Sequence, residues 1–265
     1  MQNIDNIFLI GDLHGSINPI ESFYNNNKEL LQGKNNVLIC LGDFGANYYF
    51  NHRDKKFKAS LCKYPFTYFI IRGNHEERPS ICAAKNPDDW SIESFFGNDV
   101  YVENDYPYIK YAQDIITDYL IPCGNKFLDT IIIPGAYSAD KYYRLAQGWS
   151  WFENEQLSQE EMEYGKNFIQ KCKSNECDLV LSHTCPLIYE PTDLFLPMID
   201  QSTVDKSMEH FMNQIEFSLD YKAWCWGHFH ECRDYPSPDG RRRLMLMHRP
   251  VRLEDIMNID ERIKE

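Results

Sequence analysis

The segment Ile7-Phe8-Leu9-Ile10-Gly11-Asp12-Leu13-His14-Gly15 passes from an apolar run directly into a polar turn flanked by glycines. The same change occurs where Val37-Leu38-Ile39-Cys40-Leu41 meets Gly42-Asp43. It occurs a third time where Tyr68-Phe69-Ile70-Ile71 meets Arg72-Gly73-Asn74-His75-Glu76. Near-continuous runs of β-branched and aromatic residues predict strands that are buried on both faces.

Three further apolar runs end in polar or glycine-containing turns, at residues 131–133, 179–181 and 223–226. Between the runs lie stretches with a helical spacing of apolar residues, at 20–31, 158–173 and 204–219. The stretch at 158–173 opens with Ser158 and Glu161, which is the spacing of a capping box. Strands that alternate with helices predict an α/β fold.

Two regions depart from this alternation and predict antiparallel hairpins. Residues 100–121 alternate between apolar and polar side chains, and residues 232–247 contain Asp239-Gly240 before a second apolar run. No internal repeat and no Gly/Ser-rich linker divides the sequence. We therefore expect a single domain over residues 1–265.

The polar residues at the strand ends predict a metal site. Five strands deliver Asp, Asn or His at their carboxyl ends, the edge of an open α/β sheet where ligands bind. Such a nitrogen and oxygen set without thiolate suits divalent Mn, Fe, Zn or Ni. Seven ligands exceed what one ion takes from protein, which favours two ions with a carboxylate between them. The candidate ligands are Asp12, His14, Asp43, Asn74, His183, His228 and His230.

This series of motifs resembles the calcineurin-like metallophosphoesterase superfamily over residues 7 to about 230. The resemblance implies two packed mixed β-sheets flanked by helices. It implies that Asp12, His14 and His230 hold one ion, that Asn74, His183 and His228 hold the other, and that Asp43 bridges them. It also implies that His75 protonates the leaving oxygen or stabilises the transition state, while a water between the two cations attacks phosphorus. A histidine with an ordinary pKa suits proton donation at neutral pH.

One departure from the family pattern bears on the substrate. The Ser/Thr protein phosphatases of this superfamily have Val-Asp-Arg-Gly after the second motif, whereas this chain has Phe44-Gly45-Ala46-Asn47 after Asp43. The third motif, Arg72 to Glu76, still resembles that branch. The sequence therefore resembles small prokaryotic or phage-type phosphoesterases acting on phosphomonoesters, small phosphodiesters or nucleotides. A protein phosphatase, a nuclease and a catalytically silent binding scaffold are the alternatives.

Three arginines are candidates for contacting the substrate phosphate. Arg78 lies three residues after His75, and Arg72 directly precedes the third motif. Arg144 lies in the polar, aromatic loop that follows the run at 131–133. Guanidinium groups bind phosphate oxygens in a bidentate manner. Pairing with carboxylates or covering the core are the alternative roles for these arginines.

Composition limits the partners of the chain. Its 265 residues contain 27 Lys+Arg and 40 Asp+Glu, a net charge of −13 that argues against a nucleic-acid partner, although Arg241-Arg242-Arg243 forms one compact basic run. A small phosphorylated substrate fits this charge, because bound cations reverse the local field. No run approaches the roughly 18 apolar residues of a membrane span. The sequence has nine cysteines and no C-x-x-C pair, which is typical of free thiols in a reducing compartment. Its N-terminus predicts a strand rather than a secretion signal. Both features indicate the cytoplasm. The oligomeric state stays open.

Overall fold

The computed structural model describes residues 4–171, 176–195, 197 and 199–257. Thirteen strands lie in these residues: β1 (Asn6–Ile10), β2 (Asn36–Leu41), β3 (Phe66–Ile71), β4 (Trp90–Phe95), β5 (Asn98–Glu103), β6 (Ile109–Tyr111), β7 (Thr117–Cys123), β8 (Lys126–Ile133), β9 (Leu179–Ser182), β10 (Ala223–Trp226), β11 (Arg233–Tyr235), β12 (Arg242–Met245) and β13 (Val251–Arg252). All six predicted apolar runs are strands, which confirms the strand assignments made from the sequence.

The strands form two mixed sheets. The first has the order β13-β1-β2-β3-β6-β5-β4, and its strands β1, β2, β3 and β6 are parallel. The second has the order β11-β12-β10-β9-β8-β7, and its strands β8, β9, β10 and β12 are parallel. Antiparallel strands complete both edges of each sheet. Two mixed sheets with flanking helices confirm the predicted fold class.

Eight α-helices connect or flank the strands: α1 (Asn18–Asn26), α2 (Lys28–Leu31), α3 (His52–Leu61), α4 (Pro79–Lys85), α5 (Lys141–Ala146), α6 (Gln159–Lys171), α7 (Ser207–Ser218) and α8 (Leu253–Met257). Short 3₁₀ turns lie at Pro87–Asp89, Leu187–Tyr189, Thr192–Leu194 and Gln201–Thr203. The predicted capping box starts α6, since the Ser158 amide donates to Glu161 and the Glu161 amide donates to the Ser158 hydroxyl. The last residues of the predicted stretch, 172 and 173, lie outside the described residues.

Three apolar clusters stack the chain into four layers. Alternate residues of the two sheets face each other across the central cluster, for example Leu9 and Phe69 against Leu181. The intervening residues of the first sheet pack against α1 and α3, as Phe8 and Ile10 do. The outer face of the second sheet packs against α6 and α7 in the same way. This period-two burial explains why the strand sequences are apolar throughout.

Two sequence expectations are wrong in detail. The predicted hairpin at 100–121 does not form, because β6 belongs to the first sheet and β7 to the second. Each strand pairs with other partners: β6 lies between β3 and β5, and β7 forms a hairpin with β8. The predicted helix at 20–31 is interrupted at Asn27, whose backbone leaves the helical region at φ −130°. The second predicted hairpin is confirmed, since β11 pairs with β12.

Candidate metal centre

The two buried aspartates lie at the carboxyl ends of neighbouring parallel strands, after β1 and β2. Asp12 accepts hydrogen bonds from the His228 amide at 2.9 and 3.0 Å. Asp43 accepts one from the His75 amide at 2.8 Å. Each carboxylate is thus held by the turn that follows another strand. The bond from His228 joins the two sheets at the edge where the polar turns meet, and the bond from His75 joins two neighbouring turns of the first sheet.

Four of the predicted ligands offer atoms to a common point. One donor atom from each of Asp12, His14, Asp43 and His230 lies within 4.8 Å of the others. The Nε2 atoms of His14 and His230 are 2.9 Å apart, and His14 Nε2 is 3.8 Å from Asp43 Oδ2. Two carboxylates and two imidazoles at such distances form a donor set that suits a divalent transition metal.

The remaining predicted ligands converge on the other side of Asp43. The Asn74 side-chain oxygen lies 2.8 Å from His183 Nε2 and 3.2 Å from His228 Nδ1. His183 Nε2 is 3.5 Å from Asp43 Oδ1. His183 Nδ1 lies 2.7 Å from the Leu41 carbonyl, which can only accept, so Nε2 is the ring atom left to face the site.

Most of the predicted ligands have a backbone conformation that is costly for residues other than glycine. Seven non-glycine residues in the described chain have positive φ, and five of them are predicted ligands: Asp12, His14, Asp43, His228 and His230, with φ between 47° and 70°. Each such residue costs about 1–3 kcal/mol and persists where the surrounding structure enforces it. The sequence gives no sign of this strain.

Two glycines make room for the ligands. A Cβ on Gly42, whose φ is +96°, would lie 2.0 Å from His183 Nδ1. A Cβ on Gly73 would lie 2.1 Å from Asp43 Oδ1. Glycine at these two positions therefore allows the backbone of one turn to approach a side chain of another.

A buried network that sequence reasoning missed orients Asn74. The amide nitrogen of Asn74 donates to the Ser138 hydroxyl at 2.9 Å, which leaves the amide oxygen facing His183 and His228. The Ser138 hydroxyl in turn donates to Glu155 at 2.5 Å, and the Ser138 amide donates to the same carboxylate. Ser138 follows an apolar run and a glycine, as the predicted ligands do, and that position is the one signal that identifies it.

Glu76 belongs to the third motif, although the sequence pattern indicates no role for it. Its carboxylate accepts the amides of Gly45 at 2.6 Å and Gly73 at 3.3 Å. It therefore ties the turn after β2 to the turn after β3. Burial raises the pKa of Glu76 to about 7.

His75 lies beside the carboxylate of Asp43 without joining the ligand groups. Its Nε2 is 3.9 Å from Asp43 Oδ2, and its ring stacks on Tyr48 with centroids 5.8 Å apart. Burial lowers the pKa of His75 to about 4, against the attraction of Asp43. The expectation of an ordinary pKa is therefore wrong for the protein without substrate, in which His75 is neutral at pH 7.

The three candidate substrate arginines are buried and donate to protein groups. Arg78 binds Glu161 with both terminal nitrogens, at 2.5 and 3.0 Å, and also donates to two backbone carbonyls. Arg72 donates to the Glu155 carbonyl at 2.6 Å. Arg144 donates to the Ser138 hydroxyl at 2.9 Å and stands over the Tyr48 ring. These contacts agree with the alternative roles of pairing and packing, and a contact of any of the three arginines with a substrate phosphate stays a prediction.

The candidate ligands differ in charge state in the protein without metal. Burial raises the pKa of Asp12, whereas the imidazoles of His75 and His183 hold the pKa of Asp43 well below its usual value despite burial. Burial lowers the pKa of His14, His228 and His230, so these rings are neutral and have a lone pair to offer. His183 differs, because the charge of Asp43 raises its pKa to about 9 although burial opposes it. A metal ion requires neutral imidazoles and ionised carboxylates, so its binding would displace protons from His183 and Asp12.

A cavity of about 390 Å³ opens onto this centre. Asp43, Asn74, His75, His228 and His230 form its inner end. The segment that leads from β9 to α7, together with the start of α7, forms its outer wall. Among the described residues that line the cavity, none is an arginine.

Two further findings concern the whole described chain. Eight of the nine cysteines lie among the described residues and form no disulfide there, and the ninth, Cys172, lies outside them. No helix in the described part combines the length and apolar composition needed to span a bilayer.

Comparison with known proteins identifies one family. The family model described as calcineurin-like phosphoesterase matches residues 6–232, which include all seven predicted ligands and His75. No curated protein matches the chain in sequence.

Three solved structures are similar to this one. A dimetal phosphatase from Danio rerio has a TM-score of 0.50 at 11% identity, with 92% of this chain and 87% of that chain covered. The protein TT1561 of Thermus thermophilus has a TM-score of 0.47 at 11% identity, with 93% and 91% covered. A phosphopantetheinyl hydrolase from Mycobacterium tuberculosis has a TM-score of 0.44 at 14% identity, with 91% and 89% covered. At such low identity the likeness to the first of these shows the fold alone.

Proposed function

The chain belongs to the calcineurin-like phosphoesterase family, whose members hydrolyse phosphoesters with two divalent metal ions, and from that premise we propose that it acts on phosphate esters of small molecules. The observation that carries the proposal is the position of Asp43 between two groups of donor atoms. Its Oδ2 faces His14 at 3.8 Å, and its Oδ1 faces His183 at 3.5 Å. One carboxylate oxygen is thus available to each side.

The assignment of ligands follows from this division. Asp12, His14 and His230 hold one cation, and Asn74, His183 and His228 hold the other. Asp43 contributes to both. The hydrogen bonds of the Asp43 carboxylate to the His75 amide and of His183 to Leu41 support this assignment, because they fix the ligands before any metal binds.

When bound, the two cations neutralise charge on the phosphoryl oxygens and activate water as the nucleophile. His75 then supplies the proton that the leaving oxygen needs. A substrate phosphate beside the ring would raise the pKa of His75, because an adjacent opposite charge favours the imidazolium, and the neutral ring would take up its proton from solvent. Stacking on Tyr48 holds the His75 ring at the inner end of the cavity.

The surroundings favour a small substrate over a nucleic acid. The three arginines of the basic run all pair with carboxylates: Arg241 with Asp220 and Asp239, Arg242 with Asp234, and Arg243 with Glu216 and Asp239. Arg243 is also buried rather than solvated, since its guanidinium lies 2.6 Å from Glu216. A run neutralised in this way offers little charge to a phosphate backbone.

The test uses protein stripped with a chelator and assayed with and without Mn²⁺. Hydrolysis of 4-nitrophenyl phosphate is compared with that of bis(4-nitrophenyl) phosphate. Turnover of either ester that depends on added metal is the expected result, and the preferred ester separates a phosphatase from a phosphodiesterase. Absence of turnover with both metals bound would contradict the proposal in favour of a binding scaffold.

His75 is tested separately. His75→Ala should retain both metal ions and lose about 100-fold or more in turnover, the usual contribution of a general acid. His52→Ala is the matched control, because His52 is an exposed histidine at the start of α3. Turnover of His75→Ala close to that of His52→Ala would show that His75 does not carry the proton.

A further inference from the structure

The outer wall of the cavity contains charged and aromatic groups that the hydrolysis of a phosphate does not need. Glu190, Lys206 and Glu209 line it together with Phe195 and Phe229. These residues come from the segment between β9 and α7, from α7 itself and from the turn after β10. They face the part of a bound ester that lies away from phosphorus.

Glu209 has an incompletely bonded carboxylate. The residue is only 5% exposed, and its Oε1 accepts a hydrogen bond from the Thr184 hydroxyl at 2.8 Å. Its Oε2 is buried and has no hydrogen-bond partner in the described part of the chain. A buried carboxylate oxygen without a donor is costly. A donor supplied by a ligand in the cavity would remove that cost.

The only lysine or arginine among the described lining residues does not supply this donor. Lys206 donates to Glu190 at 2.7 Å, and its ammonium stands 4.6 Å from the centre of the Phe195 ring. Asp140 and Asp205 also line the cavity. Carboxylates therefore outnumber the single lysine, and the wall has a net negative charge.

Aromatic rings flank these charges. Phe195 and Phe229 lie nearly parallel, with their centroids 6.5 Å apart and an interplanar angle of 25°. The Phe229 ring contacts the proposed ligand His228 on one side, with centroids 4.8 Å apart, and Phe195 on the other, so it connects the metal centre with the outer wall. An apolar group extending from the phosphate would lie along these rings.

We propose that the outer wall selects a phosphate ester whose alcohol part carries a protonated amine on an apolar frame, with Glu209 Oε2 as the acceptor of the amine. The proposal rests on the proposed function and specifies the substrate class of the same site. Glu190 and Lys206 form a neutral pair beside the acceptor, and Phe195 and Phe229 contact the apolar frame.

The test compares two esters that differ only in the ammonium group, 4-(2-aminoethyl)phenyl phosphate and 4-ethylphenyl phosphate. We expect the wild type to have a kcat/KM about tenfold or more higher for the amine-bearing ester. This ratio corresponds to the free energy of one charge-assisted hydrogen bond. Glu209→Gln keeps an acceptor for Thr184 and should lower this preference about tenfold, mainly through KM. Glu163→Gln, at an exposed glutamate of α6, should leave the preference at its wild-type value. Equal kcat/KM for the two esters, or the same preference in wild type and Glu209→Gln, would overturn the proposal.

A binding measurement separates this proposal from the hydrolase function. The probes are [4-(2-aminoethyl)benzyl]phosphonate and (4-ethylbenzyl)phosphonate, titrated by calorimetry into the Mn²⁺-loaded protein. Tighter binding of the amine, reduced in Glu209→Gln, supports the acceptor even if neither ester is hydrolysed, and only the proposed function then fails. Equal affinities, or no binding of either phosphonate, overturn the amine proposal even if the esters are hydrolysed.

Discussion

Replacement of Glu209 by glutamine makes a quantitative prediction about stability that does not depend on the reaction. Burial raises the pKa of Glu209 to about 7, against the hydrogen bond from Thr184. The reference value for glutamate is 4.5. At a pH between these two pKa values, Glu209 keeps its proton in the folded protein, whereas in the unfolded chain it has lost that proton. Stability therefore falls as pH rises from about 4.5 to 7, and the full cost remains above pH 7.

The size of the effect follows from the two pKa values. One pKa unit corresponds to about 1.4 kcal/mol, so the full cost is about 3 kcal/mol at pH 8. Neighbouring charges, Glu190 and Lys206, contribute to the pKa of Glu209 in opposite directions. Glutamine has no proton to lose in this range. We therefore expect Glu209→Gln to gain stability relative to wild type as pH rises.

The assay is urea unfolding of the chelator-stripped proteins at pH 5, 6, 7 and 8. The difference in unfolding free energy, Glu209→Gln minus wild type, should increase by about 2.5 kcal/mol from pH 5 to pH 8, because part of the cost is already present at pH 5. Taking the difference removes the titration of groups that both proteins share. Glu163→Gln serves as the control and should show no such trend. A flat difference for Glu209→Gln, or one that decreases with pH, would refute the reasoning.

Three further predictions concern the metal centre. Ser138→Ala removes the acceptor that orients Asn74 and should weaken the affinity of one of the two Mn²⁺ sites about 10- to 100-fold. Metal titration measures this effect, and unchanged affinity of both sites would count against it. Gly73→Ala places a methyl group against Asp43, which should cost about 1–3 kcal/mol of stability and lower the metal occupancy. Full metal occupancy in this variant would contradict the predicted clash. The charge of Asp43 raises the pKa of His183 to about 9, although burial acts in the opposite direction. Metal binding at pH 7 should therefore release protons. Calorimetry in buffers of different ionisation enthalpy detects this release. An observed heat that is independent of the buffer would contradict this last prediction.

Local pattern was sufficient to predict an α/β fold and the convergence of the candidate ligands, and the resemblance of the motifs to a known family supplied the two packed sheets. Each ligand follows an apolar run, and parallel strands bring their carboxyl ends to one edge. The pairing of β6 and β7 could not be predicted in this way, since an alternating pattern marks a strand without naming its neighbour. The structure places these two strands in different sheets.

The groups around the ligands were harder to predict. Arg78 and Arg144 follow strand ends, as phosphate-binding arginines do, but their partners Glu161 and Ser138 are settled only by packing. The sequence marks Ser138 only by its position after an apolar run and a glycine, and it does not mark Glu155. Their importance comes from the hydrogen bonds that lead to Asn74. The depressed pKa of His75 is likewise a consequence of burial, which no local pattern encodes.

The metal content of the reconstituted protein tests the central claim most directly. Chelator-stripped protein is loaded with Mn²⁺, freed of excess ion and analysed for metal per chain. Two ions per chain are expected for the wild type, and one for a variant in which Asn74 is replaced by alanine. Fewer than two ions in the wild type, or two ions in the Asn74 variant, would contradict the account of a dinuclear site built by these residues.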